Sequence, residues 1–185
     1  GVTWNRVPLP VGQLTLGDYL LAQSRSLDLI GKSHVIPDLV GINRLGVLPQ
    51  TKLWKHLASG GFNELDRIDG HGAPGPESGY ANWLRNAGYQ SEDPWNDYVV
   101  SGHSPNAGKV SGWFLRNVHL PSLVSAEHSE TAYVTEKALD YLKDRVGKNW
   151  VLHLSYVKPH WPYIAPAPYH NQYTAKDIQP VSRNH

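Results

Sequence analysis

The sequence contains no cysteine and no methionine among its 185 residues. The absence of cysteine excludes disulfide bonds, thiolate metal sites and a cysteine nucleophile from this chain. Phenylalanine is scarce, with two residues against seven tryptophans and ten tyrosines, whereas glycine (17 residues) and proline (14 residues) are frequent. This composition predicts aromatic, turn-rich loops on a modest framework of helices and strands.

A strong net charge and long apolar runs are also missing. The formal net charge is +1 with acidic and basic residues intermixed, which gives no indication of a nucleic-acid or membrane partner. No apolar run approaches the roughly 18 residues of a membrane-spanning helix, and no signal region follows Gly1. We therefore expect a soluble chain, in a compartment that the sequence does not identify. The 40% apolar content suits one domain with a real core.

Hydrophobic spacing and capping residues predict an alternation of helices and strands. The main predicted elements are a helix over 16–23 that begins with a Thr15–Asp18 capping box, a strand over 27–30, a helix between Ser78 and Gly88, a helix over 129–145 and a strand over 150–156. Strands that alternate with helices favour an α/β fold. The strand over 150–156 is predicted to be buried.

Two stretches lack this regularity. Residues 37–76 are rich in glycine, proline and asparagine, with one helical turn predicted around 51–57, and residues 89–125 form a second long irregular region. Connections of this length inside a compact domain usually carry function or pack on another part of a larger protein. We interpret both as loop-rich insertions in a single domain that covers 1–185.

A lysine and a histidine that are separated by one residue follow the first predicted strand, and a second such pair follows the last predicted strand. Lys32 and His34 follow the first strand, and Lys158 and His160 follow the last. Alternate residues of an extended chain point to the same side, and α/β sheets bind ligands outside the carboxyl ends of their strands. A lysine charge beside a histidine that titrates near neutral pH suits an oxyanion. The pattern indicates one anion site shared by two strand ends; the alternative, that each histidine only satisfies loop carbonyls, stays open.

Aromatic residues follow His160 closely. Trp161, Tyr163 and Tyr169 are candidates for the wall of a pocket, although aromatic side chains beside prolines also serve to pin a loop. His153, in the middle of the last strand, is predicted to be a hydrogen-bonded core histidine.

No metal site is predicted from this chain. The HExxH, EF-hand, GxSxG and GxGxxG patterns are absent. The remaining histidines are too scattered for their spacing to define a set of metal ligands.

Two segments resemble motifs of the sulfatases, which belong to the alkaline phosphatase superfamily. Residues 29–34, LIGKSH, are similar to the strand and GK-x-H motif of that family. Residues 151–163, VLHLSYVKPHWPY, are similar to its second motif, F-L-x-L-S-Y-x-x-P-H-x-P-F. Residues 131–139 and 165–170 resemble the branch that contains phosphonate monoester hydrolases and related arylsulfatases, and residues 10–20 resemble the lead-in to the first motif.

The resemblance implies part of an alkaline-phosphatase-like sheet flanked by helices, with long irregular loops. It implies a hydrolase of sulfate, phosphonate or phosphate esters. Carried over to this chain, Lys32 would hold the ester oxyanion, His34 would orient or deprotonate the nucleophile, and His160 would contact the transferred group or protonate the leaving oxygen. Lys158, Trp161 and Tyr163 are the candidate substrate-binding residues.

The resemblance also implies components that this sequence does not contain. The family uses a divalent metal ion (Ca, Mg or Mn) and a formylglycine nucleophile made from cysteine, or in relatives a serine or threonine. The C/S-x-P-S/A-x-R nucleophile motif and the family's metal-binding aspartates are missing here, so the chain resembles the central portion of a sulfatase. We expect the 185 residues alone to be inactive, because a metal-assisted mechanism depends on the charge of the ion.

The expected partners are a small-molecule or glycan ester and the remainder of the same polypeptide, with no nucleic acid and no membrane; a homo-oligomer is compatible with these expectations. An alternative from another class is a non-catalytic module that binds anions or sulfated glycans, in which tryptophan and tyrosine loops stack on sugars.

Overall fold

A computed structural model describes residues 7–69 and 75–181. Its helices and strands in chain order are α1 (Leu16–Ala22), β1 (Leu27–Gly31), α2 (Leu39–Arg44), α3 (Lys52–Ala58), β2 (Phe62–Arg67), α4 (Gly79–Asn86), β3 (Ser101–Ser104), β4 (Gly108–Ser111), α5 (Glu130–Asp144) and β5 (Leu152–Ser155). A π-helical turn covers Trp95–Val99, and four 3-10 turns cover Leu115–Asn117, Ala126–His128, Tyr169–Asn171 and Ala175–Asp177.

The described residues divide into two compact units. The first contains the described part of Gly1–Gly72 together with Val134–Val157, and the second contains the described part of Ala73–Tyr133 together with Lys158–His185. The first unit is mixed α/β with a parallel sheet flanked by helices, which confirms the predicted fold class. The single domain over 1–185, with insertions at 37–76 and 89–125, stays a prediction.

The sheet of the first unit has the strand order β2-β1-β5, and both pairings are parallel. β1 lies in the centre and all five of its residues are buried. This agrees with its nearly continuous apolar sequence, because a central parallel strand is covered on both faces. Within the described residues β1 is the partner of both outer strands.

The last strand differs from its prediction. β5 is shorter than 150–156, and its burial is only partial, with Leu154 37% exposed. His153 is exposed as well, so its prediction as a core histidine was wrong; its ring lies 5.2 Å from that of Phe62. The apolar residues of β5 suggested two covered faces, but in the described sheet this strand pairs on one side, with β1.

Residues 37–76 contain more regular structure than their composition indicates. The turn predicted around 51–57 is a seven-residue helix, α3, and both α2 and β2 fall in the same stretch. β2 was not predicted, because its sequence, FNELDR, does not alternate between apolar and polar residues. Three of its six residues are exposed, at the edge of the described sheet.

A buried carboxylate connects three elements of the first unit. Asp28 in β1 is 2% exposed and accepts hydrogen bonds of 2.7 Å from Asn63 Nδ2 of β2 and from the Tyr141 hydroxyl of α5. Arg145 adds a guanidinium 4.0 Å from the same carboxylate. Burial opposes the charge of Asp28, but the hydrogen bonds outweigh it and the pKa of Asp28 lies below its ordinary value. These bonds satisfy a charge in the middle of the sheet.

The first helix begins as predicted. The Thr15 hydroxyl accepts a hydrogen bond from the Asp18 backbone N–H, and the Asp18 carboxylate accepts one from the Thr15 N–H, which completes the capping box. The other oxygen of Asp18 lies 2.7 Å from His56 Nε2 of α3. Burial raises the pKa of Asp18, but the hydrogen bonds from His56 and Thr15 lower it more, so the net shift is downward.

This arrangement predicts an acid-sensitive contribution to stability. The pKa of Asp18 is lower in the folded state than its ordinary value of 3.8. The contribution of the ionised Asp18 to the free energy of unfolding is therefore complete above pH 3.8 and disappears as the pH falls through the pKa of the folded state. We expect His56→Ala to raise the folded pKa and to flatten the pH dependence of the urea midpoint below about pH 4. His119→Ala, at an exposed histidine, serves as the control; an unchanged pH dependence in His56→Ala would contradict the pairing.

Aromatic side chains form the core of the second unit. Tyr80 of α4 is fully buried, and its ring centroid lies 5.1 Å from that of Tyr133 and 6.4 Å from that of Trp95. The Tyr80 hydroxyl donates a 2.8 Å hydrogen bond to the His128 carbonyl. α4 begins where Ser78 accepts a hydrogen bond from the Ala81 N–H, as the sequence predicts. An antiparallel hairpin, β3–β4, lies within 89–125.

Candidate functional site

The first pair of candidate residues follows the buried end of β1. The Lys32 N–H donates a 3.0 Å hydrogen bond to the Ser155 carbonyl, so β1 and β5 stay paired one residue beyond Gly31. Gly31 has φ +101°, and a Cβ atom there would collide with the same carbonyl oxygen. A glycine is therefore required at this position, and it places Lys32 directly at the carboxyl end of the sheet.

Lys32 and His34 line a common cavity of about 470 Å³ in the first unit. His153, Ser155 and Phe62 contribute to its wall. Lys32 is half-buried, Ser33 is buried and His34 is exposed. Burial lowers the pKa of Lys32, and the charge of Asp69 opposes this shift.

Arg67 supports the same segment and was not singled out from the sequence. Its guanidinium donates a 3.1 Å hydrogen bond to the Ser33 carbonyl and also pairs with Glu64 at 2.8 Å and Asp69 at 3.0 Å. Burial would lower the pKa of Arg67, but these two carboxylates raise it above its ordinary value. The lysine–histidine segment is thus attached to the end of β2, a strand that sequence reasoning missed.

The second pair lies in the second unit. The Lys158 ammonium donates hydrogen bonds to the carbonyls of Pro162 (2.5 Å) and Ile164 (3.0 Å). It also lies 3.8 Å from Glu130 Oε1, at the start of α5. Burial lowers the pKa of Lys158, and the Glu130 charge opposes this shift. These contacts hold the two ends of a short loop together; the role of Lys158 in binding a substrate stays a prediction.

His160 lies within that loop. Its Nδ1 is 2.6 Å from the Trp161 carbonyl oxygen. A carbonyl can only accept a hydrogen bond, so Nδ1 carries the hydrogen and donates it to this oxygen. The Trp161 ring lies edge-on to the Trp113 ring at 4.6 Å, which anchors the residue next to His160.

Lys158 and Tyr163 line a larger cavity of about 760 Å³ in the second unit. Tyr169, which the sequence also indicates as a wall residue, lines it too, and so does Glu130. Glu130 was not singled out from the sequence, because nothing local indicates that it lines a cavity.

The structure therefore brings Lys32 and His34 together in one cavity of the first unit. In the second unit Lys158 and Tyr163 line one cavity, whereas His160 and Trp161 lie in the same loop but are not among the residues that line it. A single site that combines both pairs stays a prediction.

The described residues do not fit a metal ion. Within 7–69 and 75–181, no group of three or more histidine, aspartate or glutamate side chains could hold one. Among the helices of the same ranges, none has both the length and the apolar character needed to cross a membrane.

Comparisons with known proteins agree on one family. A family model described as Sulfatase matches residues 52–182. The multifunctional alkaline phosphatase superfamily protein PehA of Trinickia caryophylli is 33% identical over 180 residues, which cover 94% of this chain and 31% of that protein.

Two solved structures share the fold. The phosphonate monoester hydrolase SpPMH of Silicibacter pomeroyi has a TM-score of 0.70 and 22% identity over 98% of this chain and 33% of its own. The phosphonate monoester hydrolase of Agrobacterium radiobacter has a TM-score of 0.67 and 20% identity over 97% of this chain and 32% of its own. The chain spans about a third of the length of these relatives.

Proposed function

This chain belongs to the sulfatase family, within the alkaline phosphatase superfamily, and on that premise we propose that the protein containing it hydrolyses sulfate, phosphonate or phosphate esters. The observation that carries the proposal is the common cavity of Lys32 and His34 at the carboxyl end of β1. A cation and a proton acceptor at this edge of a parallel sheet suit the oxygens of such an ester.

Each candidate residue has a defined task in this proposal. Lys32 neutralises charge on a non-bridging oxygen of the ester, and His34 orients the nucleophile or removes its proton. His160 gives a proton from Nε2 to the departing oxygen, while its Nδ1 stays bonded to the Trp161 carbonyl. Lys158, Trp161 and Tyr163 contact the rest of the substrate.

The complete protein would need more than this chain contains. We propose that segments of the polypeptide beyond these 185 residues bind a divalent metal ion and provide a formylglycine, serine or threonine nucleophile.

A direct assay tests this proposal. With added divalent metal, the complete protein should release the alcohol from an aryl sulfate, an aryl phosphate or an aryl phosphonate monoester. The 185-residue chain alone should show no turnover of the same esters. Absence of hydrolysis by the complete protein on all three would refute the proposal; saturable binding of a sulfated glycan in that case would support the binding module.

A further inference from the structure

A further cavity of the first unit, of about 350 Å³, lies between α1, α3 and the first residues of β1 and β2, and is here called the α1–α3 cleft. Leu27 and Phe62, which begin the two strands, are register partners in the parallel sheet and both line the cleft. Phe62 also borders the cavity of Lys32, but the charged residues of the two cavities are different. Five steps of extended chain separate Leu27 from Lys32, a distance of roughly 16 Å. The cleft therefore lies at the opposite end of the strands from Lys32.

The charged side chains that line the cleft are cationic. Lys52 and Lys55 are three residues apart on α3 and therefore share a face of the helix, and Arg25 lies between α1 and β1. All three are exposed. No carboxylate is among the described residues that line the cleft, and none of these cations forms an ion pair with a carboxylate that the structure describes. A concave surface with charge of one sign concentrates ions of the opposite sign.

Carboxylates close to the cleft have partners of their own. Asp28, in β1, accepts a 2.7 Å hydrogen bond from Asn63, which lines the cleft. Glu64 lines a neighbouring cavity together with Lys55, but its carboxylate pairs with Arg67 at 2.8 Å. Because these carboxylates are already bonded, the cations of the cleft can bind an anion from solution.

The shape of the cleft depends on contacts that do not involve these cations. Asp18 Oδ1 of α1 lies 2.7 Å from His56 Nε2 of α3. A Cβ atom at Gly17 would collide with the Gly61 carbonyl, so α1 approaches the turn before β2 through backbone alone. Replacement of an exposed cationic side chain should therefore leave the walls of the cleft in place.

The rest of the wall is largely apolar. Leu21 of α1 is 59% exposed, Leu27 is buried and Phe62 is half-buried. A ligand with an apolar body removes such surface from water when it binds, whereas an inorganic anion interacts with the charges alone. Cations beside an apolar wall therefore favour an organic anion.

We propose that the α1–α3 cleft binds an organic anion that carries a tetrahedral oxyanion on an apolar body. The oxyanion pairs with Arg25, Lys52 and Lys55, because its several oxygens can accept hydrogen bonds from more than one cation. The apolar body packs on Leu21 and Phe62. This site goes beyond the proposed function, since it lies at the other end of the strands and requires no ester to be cleaved.

Protection of individual lysines in the complete protein tests this proposal at the cleft itself. Trace acetylation followed by mass spectrometry of peptides gives the rate of modification at each lysine. Phenylphosphonate is the probe, because it carries a tetrahedral oxyanion on a ring and has no ester bond to cleave. It should slow acetylation of Lys52 and Lys55 saturably, with half-protection in the millimolar range, because small ligands bind weakly. Lys148, an exposed lysine of the same unit outside the cleft, should react at an unchanged rate.

Two variants separate the charge from the apolar contact. Arg25→Gln should raise the concentration for half-protection about fivefold, the effect of losing one exposed ion pair. Arg44→Gln, at an exposed arginine of the same unit outside the cleft, is its control. Leu21→Ala should weaken protection by phenylphosphonate about threefold and leave protection by inorganic phosphate unchanged. Leu16→Ala, at a leucine of the same helix that is 60% exposed, is the matched control.

Three results would overturn the assignment of the cleft: no protection of Lys52 and Lys55 at about 30 mM phenylphosphonate, equal protection of Lys148, or unchanged protection in folded Arg25→Gln. Protection by phenylphosphonate that Leu21→Ala leaves unchanged would also overturn it, because the cleft would then bind charge alone. If Arg25→Gln fails to fold, Leu21→Ala decides the question. Ester turnover is measured separately, so protection without turnover supports the cleft and rejects the proposed function, and turnover without protection does the reverse.

Discussion

Replacement of His160 by alanine in the complete protein is expected to lower kcat about a hundredfold for esters of weakly acidic alcohols. Transfer of a proton by a positioned histidine contributes roughly this much to catalysis. The hydrogen bond from Nδ1 to the Trp161 carbonyl fixes the orientation of the ring, and in the proposed function Nε2 donates the proton to the departing oxygen. The substitution removes that proton and leaves Trp161 anchored on Trp113.

A comparison of esters whose alcohols differ in acidity distinguishes proton transfer by His160 from a role of His160 in binding alone. An ester of a more acidic phenol needs less help in departure, so its kcat should fall much less in His160→Ala. If His160 only contacts the transferred group, both esters should lose activity equally. His103→Ala is the matched control, because His103 is an exposed histidine of the same unit. Full activity of His160→Ala on both esters would contradict the assignment.

Elements with strong local signals could be predicted from the sequence. The Thr15–Asp18 capping box marks the start of α1, the run of apolar residues marks β1, and helical spacing marks α5. In each case the signal is local, because the capping side chains or the buried residues lie within one element. The observed bounds agree with the predicted ones to within a residue or two.

The other strands of the sheet show where local signals fail. β2 carries polar residues at the side of the sheet, and its pairing with β1 joins residues about 35 positions apart, such as Asp28 and Asn63. β5 has an apolar sequence but is partly exposed. Both the missed strand and the misjudged burial depend on which strands are neighbours, and the composition of one segment does not contain that information.

The residues of the candidate site show the same difference between local signals and partners that are distant in sequence. Lys32, His34, Lys158 and His160 could be identified because each pair stands next to a strand with a recognisable sequence. Glu130 and Arg67 could not, because their importance comes from distant partners. Glu130 meets Lys158, 28 positions later, and Arg67 meets the Ser33 carbonyl, 34 positions earlier. A buried glutamate becomes a candidate only when its environment is known.

Lys32 is the second residue whose replacement should have a large effect. Its backbone is held by the Ser155 carbonyl and by the close approach at Gly31, so a change of side chain leaves this end of the sheet in place. The ammonium lines the cavity together with His34. If it neutralises a non-bridging oxygen in the transition state, its loss removes an electrostatic interaction that is typically worth a hundredfold to a thousandfold in rate.

Lys32→Ala in the complete protein should therefore lower kcat/KM about a hundredfold or more, with Lys148→Ala as the control at an exposed lysine. The pH profile of activity gives an independent test of Lys32. Because burial lowers the pKa of Lys32, the lysine loses its charge at a pH below the ordinary 10.5, and the activity of the wild type should fall on the alkaline side of the pH profile, its alkaline limb. Lys32→Arg keeps its charge at every accessible pH, so the residual activity of that variant should lose this limb even though the guanidinium fits the cavity differently. An alkaline limb that is identical in the wild type and in Lys32→Arg would assign the titration to another group, and wild-type activity in Lys32→Ala would exclude Lys32 from the reaction.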